Sequence, residues 1–94
     1  MNYLVRLSPA AGRDLDRLAA FLEIDSPAAA ARALTVLEEG LESLRDMASR
    51  GRPGSREGYR ELVVPFGAAA YIIRYRVTAN TVDVAQIRHS REGG

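Results

Sequence analysis

The chain has no cysteine and no lysine among its 94 residues. The lack of cysteine excludes disulfides, zinc–thiolate sites and catalysis by a thiol, and the lack of lysine excludes lysine-based chemistry. No segment has the roughly 18 consecutive apolar residues of a membrane span. The N-terminus lacks the basic and apolar regions of a signal peptide. We therefore expect a cytoplasmic protein without a membrane association, folded as one domain over residues 1–94.

All thirteen basic residues are arginines, and they are unevenly distributed along the chain. Residues 1–44 carry four arginines and seven acidic residues, for a net charge of −3, whereas residues 45–94 carry nine and five, for +4. Guanidinium groups bind carboxylates and phosphates through two parallel hydrogen bonds. The second half is therefore suited to an anionic partner, although a GC-rich coding bias would also replace lysine by arginine.

The first half predicts a short strand followed by two helices. Tyr3, Val5 and Leu7 alternate as in a strand, and Ser8-Pro9 and Ser26-Pro27 each combine a capping serine with proline at the first helical position. The few residues between the helices indicate an antiparallel hairpin. An apolar seam at helical spacing extends the second helix over about five turns: Ala30, Leu34, Leu37, Leu41, Leu44 and Ala48. Within it, Gly40 would let the first helix approach closely.

The second half predicts a loop over residues 49–58 and then three strands, from Tyr59 to Val64, Ala69 to Val77 and Thr81 to about Arg88. A bulge near Ala85 would place Val82, Val84 and Ile87 on one face, and Asn80 is suited to a left-handed conformation in the last turn. The alternation in the middle strand separates an apolar face from an arginine face: Tyr71, Ile73, Tyr75 and Val77 oppose Ile72, Arg74 and Arg76. Helices followed by strands indicate an α+β fold whose hairpin covers one face of the sheet.

Four segments, taken in this order and at this length, resemble the RelE/ParE superfamily of type II toxins. They are Gly51-Arg52-Pro53, Arg60-Glu61-Leu62-Val63, the run Tyr71 to Arg76, and Ile87-Arg88-His89-Ser90-Arg91. The resemblance covers nearly the whole chain. It implies an α+β fold with an N-terminal strand, an antiparallel helical hairpin and a three-stranded antiparallel C-terminal sheet.

The superfamily has two branches with different targets, and the four segments resemble the ParE branch more. That resemblance implies a plasmid-stabilization type of toxin that inhibits DNA gyrase without a cofactor or metal. Target binding would then fall to the arginines of the second half and the single histidine: Arg74, Arg76, Arg88, His89 and Arg91.

The alternative is the RelE branch, whose members are metal-independent, ribosome-dependent mRNA endonucleases. The residues that would carry this activity are Glu61, Arg74, Arg88 and His89, because cleavage needs a base, an acid and cations. Two features depart from that branch, since Ser90 follows His89 with no later tyrosine and lysine is absent. A third reading is a weakly toxic module that only binds its antitoxin.

Both branches imply a cognate antitoxin as partner, ParD-like for a ParE-like toxin. Its C-terminal segment would fold along the toxin as a helix and often a strand, in an apolar groove rimmed by arginine. The resemblance and the hairpin together give the candidate antitoxin-binding residues Leu18, Leu22, Leu34, Tyr59 and Arg60. Nucleic acid would be a direct partner only for a ribonuclease.

Overall fold

The fold, obtained as a computed structural model that describes residues 2–92, is a helical hairpin packed on one face of a five-stranded mixed sheet. The strands lie in the order β1-β5-β4-β3-β2, with β1 parallel to β5 and all other neighbours antiparallel. The elements are β1 Leu4–Leu7, α1 Pro9–Asp25, α2 Pro27–Ser43, β2 Arg52–Pro53, β3 Arg60–Phe66, β4 Ala69–Thr78 and β5 Thr81–His89. The α+β prediction is confirmed, but the predicted three-stranded sheet is extended by β1 and β2.

Both helices begin where the serine–proline pairs predict. The Ser8 hydroxyl accepts a hydrogen bond from the N–H of Ala11 at 3.0 Å, and the Ser26 hydroxyl accepts one from Ala29 at 3.1 Å. Each bond satisfies one of the N–H groups that have no partner within the helix. Neither helix is long and apolar enough to cross a lipid bilayer.

The second helix is shorter than the apolar seam predicts: α2 ends at Ser43. Leu44 and Ala48 leave the helix but stay buried in the core, so the seam reflects core packing beyond the helix. Gly40 permits a close approach to the sheet and not to α1, which corrects the prediction: a Cβ there would lie 2.9 Å from Val64 Cγ2.

The core lies between the hairpin and the inward face of the sheet. Ile73, Tyr75, Val82, Val84 and Ile87 are fully buried there, together with α1 and α2 residues. The register pairs Arg74 with Gln86 but Tyr75 with Val84, so Ala85 is the extra residue of a bulge. This confirms the predicted bulge, which returns Ile87 to the core face.

The loop before β3 is held by a buried tyrosine. Tyr75 Oη donates to the carbonyl of Ala48 at 2.7 Å and accepts from the N–H of Gly51 at 2.9 Å. Only glycine fits at position 51, because a Cβ would lie 2.6 Å from Tyr75 Oη. Gly51 leads directly into β2, Arg52–Pro53, a strand that the composition of residues 49–58 did not indicate.

The β4–β5 turn differs from the prediction in one residue. Ala79 adopts the left-handed conformation, with φ of 49°, whereas Asn80 has no positive φ. The two-residue turn requires a positive φ at its first central position, and that position belongs to Ala79 because Thr78 pairs with Thr81.

Candidate functional site: the open face of the sheet

The face of the sheet that points away from the helices carries most of the charge on the strands. Arg74 lies between Glu61 on β3 and Gln86 on β5, and in the next row Ile72 lies between Val63 and Arg88. The register also brings Arg76 beside Asp83, which pairs in turn with Arg6. We call this surface the arginine face, and define it by Arg6, Arg52, Arg74, Arg76 and Arg88 together with Glu61 and Asp83.

Glu61 is the buried carboxylate of the arginine face. It lies 3.5 Å from Arg74 and 3.9 Å from Arg52, and its side chain is only 10% exposed. Burying a carboxylate is costly unless it is paired, and Glu61 forms ion pairs with these two arginines. Arg74 and Glu61 are also cross-strand partners in the β3–β4 register.

Asp83 is the second carboxylate of the arginine face. One of its oxygens accepts hydrogen bonds from Arg6 at 2.9 and 3.1 Å, and the other accepts from the Thr78 hydroxyl at 3.0 Å. These bonds, led by those from Arg6, lower the pKa of Asp83 below its ordinary value. With two carboxylates against five arginines, the face keeps a positive charge.

Tyr59 provides an aromatic surface among the arginines. The guanidinium carbons of Arg56 and Arg76 lie 5.2 and 5.6 Å from the centre of its ring, within the range of cation–π contacts. A depression of about 370 Å³ adjoins the ring, between Arg6, Arg76 and Asp83. The arrangement offers a flat apolar surface bordered by positive charge, which suits an anionic group on a planar or apolar side chain.

Gln86 and Arg88 lie at the centre of the face with incomplete hydrogen bonding. Among the residues that the structure describes, Gln86 Oε1 and Arg88 Nε are buried and have no partner. Such groups are rare in folded proteins because each costs about 1–3 kcal/mol. Arg88 lies on the same face as Arg74 and Arg76, because it pairs with Ile72 of β4.

His89 lies on the opposite face, which corrects the expectation that the histidine sits among the arginines. It pairs with the core residue Tyr71, and the two rings meet edge to face with centroids 5.4 Å apart. Its Nδ1 accepts a hydrogen bond from the N–H of Arg91 at 3.1 Å. The four residues of the ribonuclease prediction are thus divided, with Glu61, Arg74 and Arg88 on one face and His89 on the other.

The chain beyond β5 is fastened to α1. Glu92 accepts the N–H of His89 at 2.8 Å and pairs with Arg17. Burial alone would raise the pKa of Glu92, but the hydrogen bond from His89 and the Arg17 guanidinium outweigh it and lower that pKa. Arg91, the remaining predicted target-binding residue, is exposed next to this contact and outside the sheet.

The five residues predicted to bind an antitoxin do not form one surface. Leu18 is only 6% exposed and belongs to the core, and Leu22 packs partly against it. Leu34 is half-buried on α2. Arg60 donates to the carbonyl oxygens of Gly51 and Ser49, so it supports the loop, while Tyr59 lies on the arginine face.

The hairpin exposes two large apolar side chains that the sequence analysis did not single out. Phe21 and Ile24 on α1 are among the most exposed apolar residues of the protein. Both lie off the stripe through Ala11, Leu18 and Leu22, and this departure from the amphipathic pattern is the signal that identifies them.

The structure is a small α+β domain whose sheet presents a positively charged face away from the helices. Among residues 2–92, no cluster of three or more histidine, cysteine, aspartate or glutamate side chains is arranged to hold a metal ion. Residues 5–93 match the family model for the ParE toxin of the type II toxin–antitoxin system parDE. The chain therefore belongs to the ParE toxin family, within the RelE/ParE superfamily.

Relatives with curated names carry the other branch's name. The chain is 42% identical over 92 residues to Toxin RelE1 of Caulobacter vibrioides, with 98% of each chain covered. It is also 42% identical over 88 residues to Toxin RelE3 of the same organism, covering 94% of this chain and 95% of that one. The family model and the two relatives agree that the chain is a toxin of this superfamily. They differ in the branch, because the model carries the ParE name and the relatives carry the RelE name.

Solved structures share the fold along almost the whole chain. A chain of the chromosomal ParDE system from P. aeruginosa superimposes with a TM-score of 0.81 at 21% identity, covering 95% of this chain and 97% of that one. A chain of the toxin–antitoxin complex RelBE2 from Mycobacterium tuberculosis gives 0.64 at 28% identity, covering 95% and 99%. The mixed five-stranded sheet with two helices is therefore the architecture shared with these proteins.

Proposed function

We propose that this toxin inhibits DNA gyrase through its arginine face and is neutralised by a cognate antitoxin. The observation that carries the proposal is the separation of His89 from the arginines. A surface that concentrates positive charge, lacks the histidine and has both of its carboxylates paired with arginines fits a binding role. The match to the ParE family model supports the same branch.

RNA cleavage needs chemical groups that the arginine face does not bring together. Attack of a 2′-hydroxyl on the adjacent phosphate needs a proton acceptor, a proton donor and cations around one phosphorus atom. On the arginine face the one nearly buried carboxylate, Glu61, is engaged by Arg52 and Arg74. The ring of His89 contacts Tyr71 on the other side of the sheet. The arginines alone can bind an anion but offer no proton transfer.

The second candidate is a ribosome-dependent mRNA endonuclease. Two observations favour it: the two relatives at 42% identity are named RelE toxins, and Glu61, Arg74 and Arg88 share one face. In this case Glu61 would have to exchange its arginine partners for the substrate, and another group would have to replace His89.

We assign neutralisation to an antitoxin that covers the exposed part of the hairpin and the rim of the arginine face. Phe21 and Ile24, which are solvent-exposed, join the predicted residues Leu22, Leu34 and Tyr59 as contacts. Leu18 and Arg60 act indirectly, since they support the core and the loop. The two similar structures come from a ParDE system and a RelBE2 complex, which supports such a partner.

The test is a supercoiling and cleavage-complex assay with purified gyrase, the toxin and the antitoxin encoded beside it. We expect the toxin to inhibit supercoiling and to stabilise cleaved gyrase–DNA complexes, and the antitoxin to relieve both effects. In cells, expression should induce the SOS response.

A parallel assay with programmed ribosomes and mRNA decides between the candidates. Gyrase that stays fully active at saturating toxin, together with ribosome-dependent mRNA cleavage, would replace the gyrase proposal by the ribonuclease. Toxin inactive in both assays that still binds the antitoxin would be a binding module.

A further inference from the structure

A row of side chains crosses the arginine face and combines an aromatic ring, two guanidinium groups and a carboxylate. Arg76 on β4 pairs with Asp83 on β5, and Asp83 pairs with Arg6 on β1. Tyr59 directly precedes β3, and its ring lies beside Arg76. Neighbouring strands are about 4.8 Å apart, so the row covers about 14 Å of the sheet. We call these residues the Tyr59 row.

The depression of about 370 Å³ lies along the Tyr59 row. All residues of the row line it, together with the end of β1 and the start of the β5 bulge at Ala85. A bulge bends its strand, which accounts for a concave surface at this position. The volume falls within the roughly 300–1,000 Å³ that is typical of ligand pockets.

The two arginines of the row keep hydrogen-bonding capacity for a ligand. Arg76 is exposed and, within residues 2–92, contacts the Tyr59 ring without forming an ion pair. Arg6 uses only its Nε and Nη2 on Asp83, which leaves further N–H donors of its guanidinium group. Guanidinium groups bind phosphate oxygens through parallel hydrogen bonds. The depression therefore offers two cations to a phosphate group.

Asp83 decides which kind of anion fits the depression. Its carboxylate accepts three hydrogen bonds, two from Arg6 and one from Thr78. A carboxylate has about four acceptor positions, so Asp83 can accept one further donor. An acidic peptide would bring only more negative charge towards it, which is unfavourable. A nucleotide instead combines a phosphate with a base whose amino group can donate, so the chemistry favours a nucleotide.

The Tyr59 ring provides a surface for the base. Arg56 and Arg76 contact this ring at 5.2 and 5.6 Å, and only Arg76 also lines the depression. Bases of every kind stack on aromatic rings, and arginine adds to such stacking. A base inside a duplex is covered by its neighbours and has to leave the stack to reach a pocket. The site therefore suits an unpaired nucleotide.

From these observations we infer that the depression binds one unpaired deoxynucleotide, with the base stacked on Tyr59 and its amino group bonded to Asp83. The phosphate lies at Arg6 and Arg76. In the complex with gyrase, this nucleotide comes from the DNA that the enzyme opens. The inference rests on the proposed inhibition of gyrase and makes the toxin a direct contact of the DNA, whereas the resemblance alone implied such contact only for a ribonuclease.

Fluorescence anisotropy of the full chain with labelled single-stranded oligodeoxycytidine measures the affinity of the site. Tyr59→Leu should weaken binding about tenfold or more, because stacking on one aromatic ring contributes that much. The matched control Tyr59→Phe keeps the ring and should stay within about twofold. Equal binding by Tyr59→Leu and the unchanged chain would overturn the inference, and so would a duplex that binds as tightly as the single strand.

The identity of the base tests the contact with Asp83. Oligodeoxycytidine should bind about fivefold or more tightly than oligodeoxythymidine, because cytosine presents an amino group where thymine presents a carbonyl oxygen. Asp83→Asn should remove this difference, because an amide can donate to thymine as well as accept from cytosine. Equal affinities for the two strands in the unchanged chain would overturn the inference.

Two comparisons separate this inference from the proposed function. Oligocytidine RNA that binds about tenfold more tightly than the DNA strand would give the site to the substrate of the ribonuclease candidate and overturn the inference. Toxin that inhibits gyrase but binds no single-stranded DNA would overturn the nucleotide site and keep the proposed function. Toxin that binds single-stranded DNA through Tyr59 but leaves gyrase fully active would overturn the proposed function alone.

Discussion

The two faces of the sheet are made from alternate residues of the same strands and have opposite properties. Ile73 and Tyr75 on β4 are fully buried under the helices, whereas their neighbours Arg74 and Arg76 belong to the arginine face. One face supplies the stability and the other supplies the charge for recognition. Substitutions can therefore separate folding from function at adjacent positions, and His89 belongs with the folding face.

The largest expected effect is a loss of stability on the helix-covered face. Ile87→Ala should lower the free energy of unfolding by about 3 kcal/mol, because it leaves a cavity in a fully buried site. Arg76→Ala, at an exposed position of the other face, should change it by no more than about 0.5 kcal/mol. Urea unfolding at constant m-value measures both, and similar losses at the two positions would contradict the division of the faces.

The division between the faces was largely predictable from the sequence, because alternation in β4 and a bulge at Ala85 follow from local patterns. The face of His89 follows from the same pattern, since it stands two residues after Ile87, but its contact with Tyr71 was hidden because that contact depends on the pairing of β4 with β5. The short β2 was also hidden, because Arg52 and Pro53 pair only through tertiary contacts with β3. The serine caps of both helices could be predicted from the sequence. The pairing of β1 with β5 could not, because no local pattern indicates it.

The next effect concerns function at constant stability. Replacing Arg76 and Arg88 by alanine should weaken gyrase inhibition about tenfold or more, equivalent to roughly 1.4 kcal/mol, because both guanidinium groups belong to the arginine face. His89→Ala should stay within about twofold, since its ring faces the core side. Dose–response curves for supercoiling give the comparison, and a larger effect at His89 than at the arginines would favour the ribonuclease candidate.

A smaller effect concerns the contact that fastens the end of β5 to α1. Because the pKa of Glu92 is lowered in the folded protein, its contribution to stability is present above the unfolded pKa and is lost as the pH falls through the folded value. We expect the amide signals of His89 and Glu92 to shift together over that acidic range. Glu92→Gln should abolish the transition, and a transition that persists in this variant would assign it to another group.

The smallest effect is a gain of stability at the turn that sets the β4–β5 register. Ala79→Gly should raise the free energy of unfolding by about 0.5 kcal/mol, because it relieves the left-handed strain of an alanine but adds entropy to the unfolded chain. Asn80→Gly is the control and should give no gain. Thermal unfolding compares them, and a gain only at Asn80 would contradict the assigned turn.

The central claim is that the target binds the arginine face, and two adjacent isoleucines test it most directly. Ile72 lies on the arginine face between Val63 and Arg88, while Ile73 lies in the core. Methyl spectra of the isoleucine-labelled toxin, recorded with purified gyrase, should show a strong change at Ile72 and little change at Ile73. A response at Ile24 on α1 with none at Ile72 would place the target on the hairpin and contradict the account.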